Sequence, residues 1–255
     1  MIKNLRILVL DNPFASWDSP FVREMFNKII LLKKLGYQSR FPLNYAPVDK
    51  SDFHGTHLAF CQERNGELFP ITAYRVIERS RCEKYGMPFS GEVLCDSTGS
   101  QNHIQALKNF VSKYSDLNIA YSSSFTIDPN IPREERKEAI DFLIPLFAYS
   151  HIHWKIDKSL ALGSCRTHTD TMYHQMGLLP IKHEGRPLEP INFPCYANER
   201  FEVQACEELT PYCLELAKKY LFLWKGRIQI SDASVGHDTV ENYLISAGAT
   251  SKMSA

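Results

Sequence analysis

The chain has 255 residues, 44% of them hydrophobic, with 29 Lys and Arg set against 29 Asp and Glu. That length accommodates one large domain or a domain with an appendage, and a formal net charge of zero excludes the single-sign field that draws a protein to nucleic acid or to an anionic membrane. The cysteines at 61, 82, 95, 165, 195, 206 and 213 form no CxxC pair and are odd in number, which argues against a disulfide framework and for a reducing, cytoplasmic setting.

The opening "MIKNLRILVLDNPF" has only a short, interrupted apolar run and no small-residue cleavage site, so it does not read as a signal peptide. Nowhere do about 18 apolar residues follow one another, and no transmembrane helix is expected. Asp18-Ser19-Pro20 supplies an N-cap and a proline suited to the first helical position, and Phe21, Met25, Ile29 and Leu32 then recur at helical spacing, predicting an amphipathic helix over 20–35 that stops at Gly36. A polar loop follows over 38–56, punctuated by Pro42, Pro47, Asp49 and Asp52. Next, "HLAFCQ" (57–62) and "LFPITAYRVI" (68–77) flank Asn65-Gly66, a strong hairpin signal.

Residues 80–100 read as irregular. Over 101–114, Ile104, Leu107, Phe110 and Val111 share one helical face. "NIAYSSSFTI" (118–127) reads as a strand, and "REERKEAIDFLIPLFAYSHIH" as a helix that Pro145 kinks or ends early. "SLALGSC" (159–165), "HTDTMYHQM" and "LLPIK" then read as strand, helix and strand, 183–200 as proline-rich loop, and Thr210-Pro211 as the start of a helix running to Lys225. The expected organisation is mixed α/β with a partly antiparallel sheet. Residues 1–200 form its main domain, 201–230 a helix packed on it, and 231–255 a flexible tail.

The run "SSSFTIDPNIPREERKEAIDFLIPLF" followed by "ALGSCRTHTDTMYHQMGLLPI" resembles the GNAT superfamily of acyl-CoA N-acyltransferases. In that family one strand carries the pantetheine of the acyl donor, the next helix start holds the pyrophosphate, and a later helix ends in Tyr-x-x-x-Gly, here Tyr173 to Gly177. The N-terminal half is similar to one branch, the autoinducer synthases and N-acyl amino acid synthases. The residues that carry this are Arg23 in "VREMF", Asp49 and Asp52 before "THLAF", Arg75 in "AYRVI", and "HEGRPLEP" (183–190).

The resemblance implies a GNAT-like fold with a central mixed sheet flanked by helices. It implies transfer of an acyl group, medium or long, from an acyl-CoA or acyl-carrier-protein thioester to an amine such as an amino acid. No metal is expected. Tyr173 is implied as the acid that protonates the departing thiolate, with Asp49 and Asp52 as groups that bind or deprotonate the amine. Arg23 and Arg75 are implied on the substrate, Arg75 orienting a carboxylate or pairing with Asp52, with Ser122 and Ser124 as small residues on the ligand face of the strand. Phe125, Thr126 and Ile127 along that strand, and Arg133, Arg136 and Lys137 at the following helix start, are implied on the acyl donor.

Each of these residues has a plainer reading. Tyr173 beside a helix-terminating glycine is also a core tyrosine at a C-cap, the two aspartates are also turn formers, the serines also face solvent, and the charged start at 133–138 is also a solvated helix end. Tyr121 and Ser124 stand where autoinducer synthases carry Glu and Arg, and "REERKEA" (133–139) has no glycine in the place of the phosphate loop. Two other functions therefore stand beside acyl transfer: a ligand-binding protein of the same fold without turnover, and a metal-dependent hydrolase built on His54/His57 and His151/His153. Cys165 near His168 reads as a small apolar strand residue rather than as a nucleophile.

Overall fold

The computed structural model describes residues 2–38, 48–231 and 240–245. The chain begins with strand β1 (Leu5–Asp11) and helix α1 (Pro20–Gln38), followed by a short helix α2 (Lys50–His54) and the hairpin β2 (Thr56–Arg64) and β3 (Glu67–Glu78). Asn65 and Gly66 close the hairpin at φ 52° and 80°, the two left-handed positions that a tight hairpin turn requires. Helices α3 (Arg79–Lys84), α4 (Ser90–Asp96) and α5 (Gln101–Lys113) lead to strand β4 (Ile119–Ile127). Then come α6 (Arg136–Asp141), α7 (Leu143–His153), β5 (Lys158–Ser164) and α8 (Thr169–His174). Short strands β6 (Leu178–Pro180), β7 (Lys182–His183), β8 (Arg186–Pro187) and β9 (Ile191–Phe193) precede β10 (Glu199–Cys206), α9 (Pro211–Lys225) and β11 (Ile228–Ile230).

The fold is mixed α/β, a central mixed sheet flanked by helices. The main sheet runs β11-β1-β2-β3-β4-β5-β10-β6, with β9 also pairing β10. Its pairs are antiparallel except at β1–β11 and β4–β5. Because strand side chains alternate in direction, the sheet builds a core on each face. One face holds Ile7, Val9, Leu58, Phe60 and Tyr74 against α7 and α9. On the other, Leu8, Leu10, Ala59 and Cys61 pack under α1, and Tyr121 and Leu160 pack under α4 and α5.

All of α7 from Leu143 to His153 is buried, as a helix sandwiched between a sheet and a second helix must be. On its outer side the Tyr149 hydroxyl donates to the Ala217 carbonyl of α9 at 2.7 Å, and the Tyr149 and Trp224 rings stack at 4.6 Å. Pro145 has no N–H to give to the Asp141 carbonyl. The helix accordingly breaks at Phe142 into α6 and α7, with Pro145 in the first turn of α7, where a missing N–H is tolerated.

Several expectations are corrected. The run 5–11, to which no element was assigned above, is a strand paired on both sides. Helix α1 continues through Gly36 to Gln38, residues 79–84 and 90–96 form α3 and α4, and 182–193 contains the small β7–β8 hairpin and β9. The boundary expected at 200 falls inside β10, which sits in the sheet between β5 and β6. Residues 240–245 are helical, with Val240 and Leu244 each 1% exposed in the core with α7 and α9, so this part of the expected tail is packed. The turn prolines Pro42 and Pro47, and the rest of the expected tail over 232–239 and 246–255, lie outside the described residues.

Candidate active site

The parallel pairing of β4 with β5 is short: Ile119, Ala120 and Tyr121 lie opposite Lys158, Ser159 and Leu160, and there the ladder ends. Beyond it β4 stays paired to β3 as far as Ile127, and β5 to β10 as far as Ser164. Two neighbouring strands thus part and leave a wedge-shaped opening in the sheet. A β-bulge accentuates the parting. The β3–β4 register shifts so that Tyr74 faces both Ser124 and Phe125, with Ser124 at φ 57°, and such an extra residue bends its strand away from its line.

A cavity of about 780 Å³ occupies the opening. Phe125, Thr126 and Ile127 of β4 form one wall and Leu162 and Ser164 of β5 another, while Ile140 and Leu143 come from the α6–α7 break. Helix α8 contributes Met172 and Tyr173, and the end of α1 contributes Gly36 and Tyr37. The lining is largely apolar with a number of polar side chains among it, the usual composition of a small-molecule site.

Tyr173 is 4% exposed and its ring lies 4.6 Å from that of Phe125. Burial, with the phenol of Tyr37 nearby, raises its pKa well above the ordinary value for tyrosine, so the hydroxyl keeps its proton at neutral pH. Gly177 ends the turn after α8 at φ 101°, and a Cβ there would run into the Glu208 carbonyl. Only glycine accommodates both conditions, and the chain turn that sets the direction of α8 depends on it.

Of the residues implied on the donor, Phe125, Thr126, Ile127 and Arg136 line the cavity. Arg136 stands at its mouth, donating to the Pro129 carbonyl at 3.1 Å. Arg133 and Lys137 are exposed and are not among the lining residues. In the turn ahead of α6 the N–H of Glu135 is bonded to the Pro132 carbonyl at 3.0 Å. Ser122 is buried with its hydroxyl unpartnered, and Ser124 is the bulge residue; neither lines the cavity. Arg23 donates to the Trp17 and Asp18 carbonyls at 2.7 and 3.1 Å, closing the turn before α1.

Asp49, Asp52 and Arg75 do come together, but behind β4 and not in the cavity wall. Asp49 caps α2 in a reciprocal capping box with Asp52. Asp52 is fully buried and accepts from Lys33 Nζ at 3.0 and 3.1 Å and from Arg75 at 2.6 Å. Arg75 also donates to Asp49 at 3.0 Å and to the Ser123 hydroxyl at 3.2 Å. Burial by itself pushes the Asp52 carboxyl up, but Arg75 and Lys33 outweigh it and bring it down to about 2. Asp52, implied as a group that binds or deprotonates an amine, is thus held by two cations and does not line the cavity. The cluster is a fixed support for β4 at the bulge.

The histidine pairs are likewise engaged. His57 Nε2 lies 2.6 Å from the Asp52 carbonyl, and His151 lies 2.9 Å from both the Phe147 carbonyl and the Ser159 hydroxyl. His54 stacks on Tyr85 at 4.1 Å. Among the described residues no group of three or more His, Cys, Asp or Glu gathers as a metal site.

The sequence reading missed Gly36, Tyr37, Leu162, Met172 and Phe201. Gly36-Tyr37 carried a signal, but one read as a helix stop; the others meet only through strand register, which leaves no local pattern.

No family model matches the chain and no curated protein matches it. Solved structures do show likeness. FeeM, an N-acyl amino acid synthase from uncultured soil microbes, is 15% identical with a TM-score of 0.47 over 86% of this chain and 97% of its own. An acyl-CoA N-acyltransferase from Pseudomonas aeruginosa is 10% identical with a TM-score of 0.47 over 79% and 99%. The AHL synthase LasI is 12% identical with a TM-score of 0.42 over 79% and 87%. Likeness at this level assigns no reaction to this chain.

Proposed function

We propose that the protein transfers an acyl group from a thioester carried on a pantetheine arm, of CoA or of an acyl carrier protein, to an amine. The observation that carries this reading is the wedge between β4 and β5, with a buried, protonated phenol at its apolar wall. An extended arm with amide groups can pair with the open edge of β4 as an added strand would, while an acyl chain fills the apolar depth among Phe125, Leu143 and Met172. The amine nitrogen attacks the thioester carbon, the C–S bond breaks, and the leaving sulfur takes a proton from Tyr173, which recovers one as the new amide nitrogen loses its own. Holding both reactants in the wedge supplies most of the acceleration.

No helix among the described residues is long and apolar enough to cross a membrane. The cysteines at 61, 82, 95, 165, 206 and 213 are free thiols, in keeping with a cytoplasmic reaction. The test is incubation with acyl-CoAs of graded length and with loaded carrier protein against an amine panel, following free thiol and product mass. Tyr173→Phe is expected to lower turnover about 100-fold with unchanged melting. Thioester binding without thiol release for any pair would leave a binding protein and refute the enzyme.

A further inference from the structure

Strand β5 ends in the wall of the wedge. Leu162 and Ser164, two residues apart and so on one side of the strand, both line the cavity, as does Phe201, which lies opposite Ser164 in the β5–β10 pairing. Glu199 stands two residues before Phe201 on β10 and therefore on the same face. Its side chain is 6% exposed, and it reaches Ser164, whose hydroxyl donates to Glu199 Oε1 at 2.7 Å. The other carboxylate oxygen lies 3.6 Å from Arg166, whose side chain is largely exposed and whose charge is screened by water. A carboxylate that gives up so much hydration depends on that short hydrogen bond. Asp52 contrasts with it, being held as an anion by Lys33 and Arg75 together.

A hydroxyl has one proton to give and two lone pairs. Ser164 gives its proton to Glu199 and takes the Thr167 N–H at 3.2 Å on one lone pair, which leaves the other for a group in the cavity. Resting on the acyltransferase reading, we propose that this lone pair receives an N–H of the acceptor amine, and that Ser164 with Glu199 behind it is the path by which the amine loses its proton. As the nitrogen attacks the thioester carbon it becomes positively charged, and one of its protons passes to Ser164 Oγ while the Ser164 proton passes to Glu199. A hydroxyl by itself is a poor base; the carboxylate bonded to it supplies the driving force. The N–C bond forms, the C–S bond breaks, and the sulfur takes its proton from Tyr173. Glu199 then returns its proton to water and Tyr173 takes one back, so nitrogen has lost one proton, sulfur has gained one, and all three side chains end as they began. Two other lining residues carry a group that accepts protons: Asp128, whose Oδ1 already takes two bonds from Asn130 at 2.9 and 3.0 Å, and the exposed His168.

The test follows thiol release from octanoyl-CoA with ethylamine and with 2,2,2-trifluoroethylamine, alike in size and unlike in basicity, by wild type, Glu199→Gln and Ser164→Ala. Glu199→Gln keeps an oxygen for the Ser164 hydroxyl but takes no proton at neutral pH. The adduct of the weakly basic amine gives its proton readily to water, whereas that of ethylamine needs a base. The expected result in both variants is a kcat with ethylamine lowered at least about 100-fold, a kcat with trifluoroethylamine lowered less than about 10-fold, and an unmoved KM for octanoyl-CoA. A merely structural role lowers both amines alike, so equal losses overturn the proposal, as does full activity with ethylamine in either folded variant. If circular dichroism shows that one variant does not fold, the other decides by the same criterion. A loss in Asp128→Asn or His168→Gln with Glu199→Gln intact identifies another acceptor and also overturns the relay, while acyl transfer stands. No thiol release by wild type with either amine overturns the acyltransferase reading, and the relay falls with it.

Discussion

At the scale of single residues, the buried ion cluster behind β4 has consequences apart from any reaction. Asp52 has no exposed surface and answers to both Lys33 and Arg75. Replacing it by Asn strands two cations that burial already disfavours, and we expect Asp52→Asn to lower the unfolding free energy by about 3 kcal/mol, measured by urea titration at pH 7. Its folded pKa is depressed, so the stability that its charge supplies is complete above the ordinary carboxylate pKa and is lost as pH falls towards about 2. His57 and His151 act in a higher window. Burial brings both down to about 4 from 6.5, so between those values the unfolded chain takes up protons that the native state refuses. Stability is therefore expected to fall with pH from about 6.5 to about 4, with a slope approaching two protons. A pH series of melts checks this, and His151→Phe should flatten it.

At the scale of elements, two glycines do different work. Gly177 is fixed by its turn, and Gly177→Ala is expected to lower stability by at least about 1 kcal/mol and turnover along with it, because the turn aims α8. Gly36 lies within regular helix and is there for closeness. Gly36→Ala should leave α1 helical by circular dichroism while lowering the melting temperature, because the added Cβ runs into Thr126 Oγ1. The contrast shows what was legible in the sequence. Signals contained in a few residues were read correctly: the Asn65-Gly66 turn, and the Thr210 cap, which accepts from the Cys213 N–H at 3.1 Å. Elements defined by distant partners were not. "LRILVLD" is a strand buried on both faces from Ile7 onward, so it lacks the alternation that marks half-buried strands. Gly36 was read as a stop because the reason for a glycine there, Thr126, lies 90 positions further along the chain. Of the site, Tyr173 and the β4 segment were visible as a motif and a strand, whereas Tyr37, Leu162 and Phe201 become neighbours only through register.

At the scale of the molecule, the described residues after α9 pack on the rest of the chain. Strand β11 extends the sheet beside β1. Val240 and Leu244 pack with α7 and α9, and Lys225 pairs with Glu241 at 2.7 Å. Ending the chain at residue 231 exposes the surfaces that those two side chains cover, each contributing about 1.5–3 kcal/mol, and a drop in Tm of several degrees in calorimetry is expected.

The parting of β4 from β5 has a mechanical side as well. Three residue pairs join a half-sheet of β11-β1-β2-β3-β4 to another of β5-β10-β6, so the seam is the natural line along which the molecule yields. Anything lying in the wedge bridges that seam as a suture does, holding both halves at once. Amides along the free lengths of β4 and β5 should then slow together in hydrogen exchange when the wedge fills, including those that the ligand never touches.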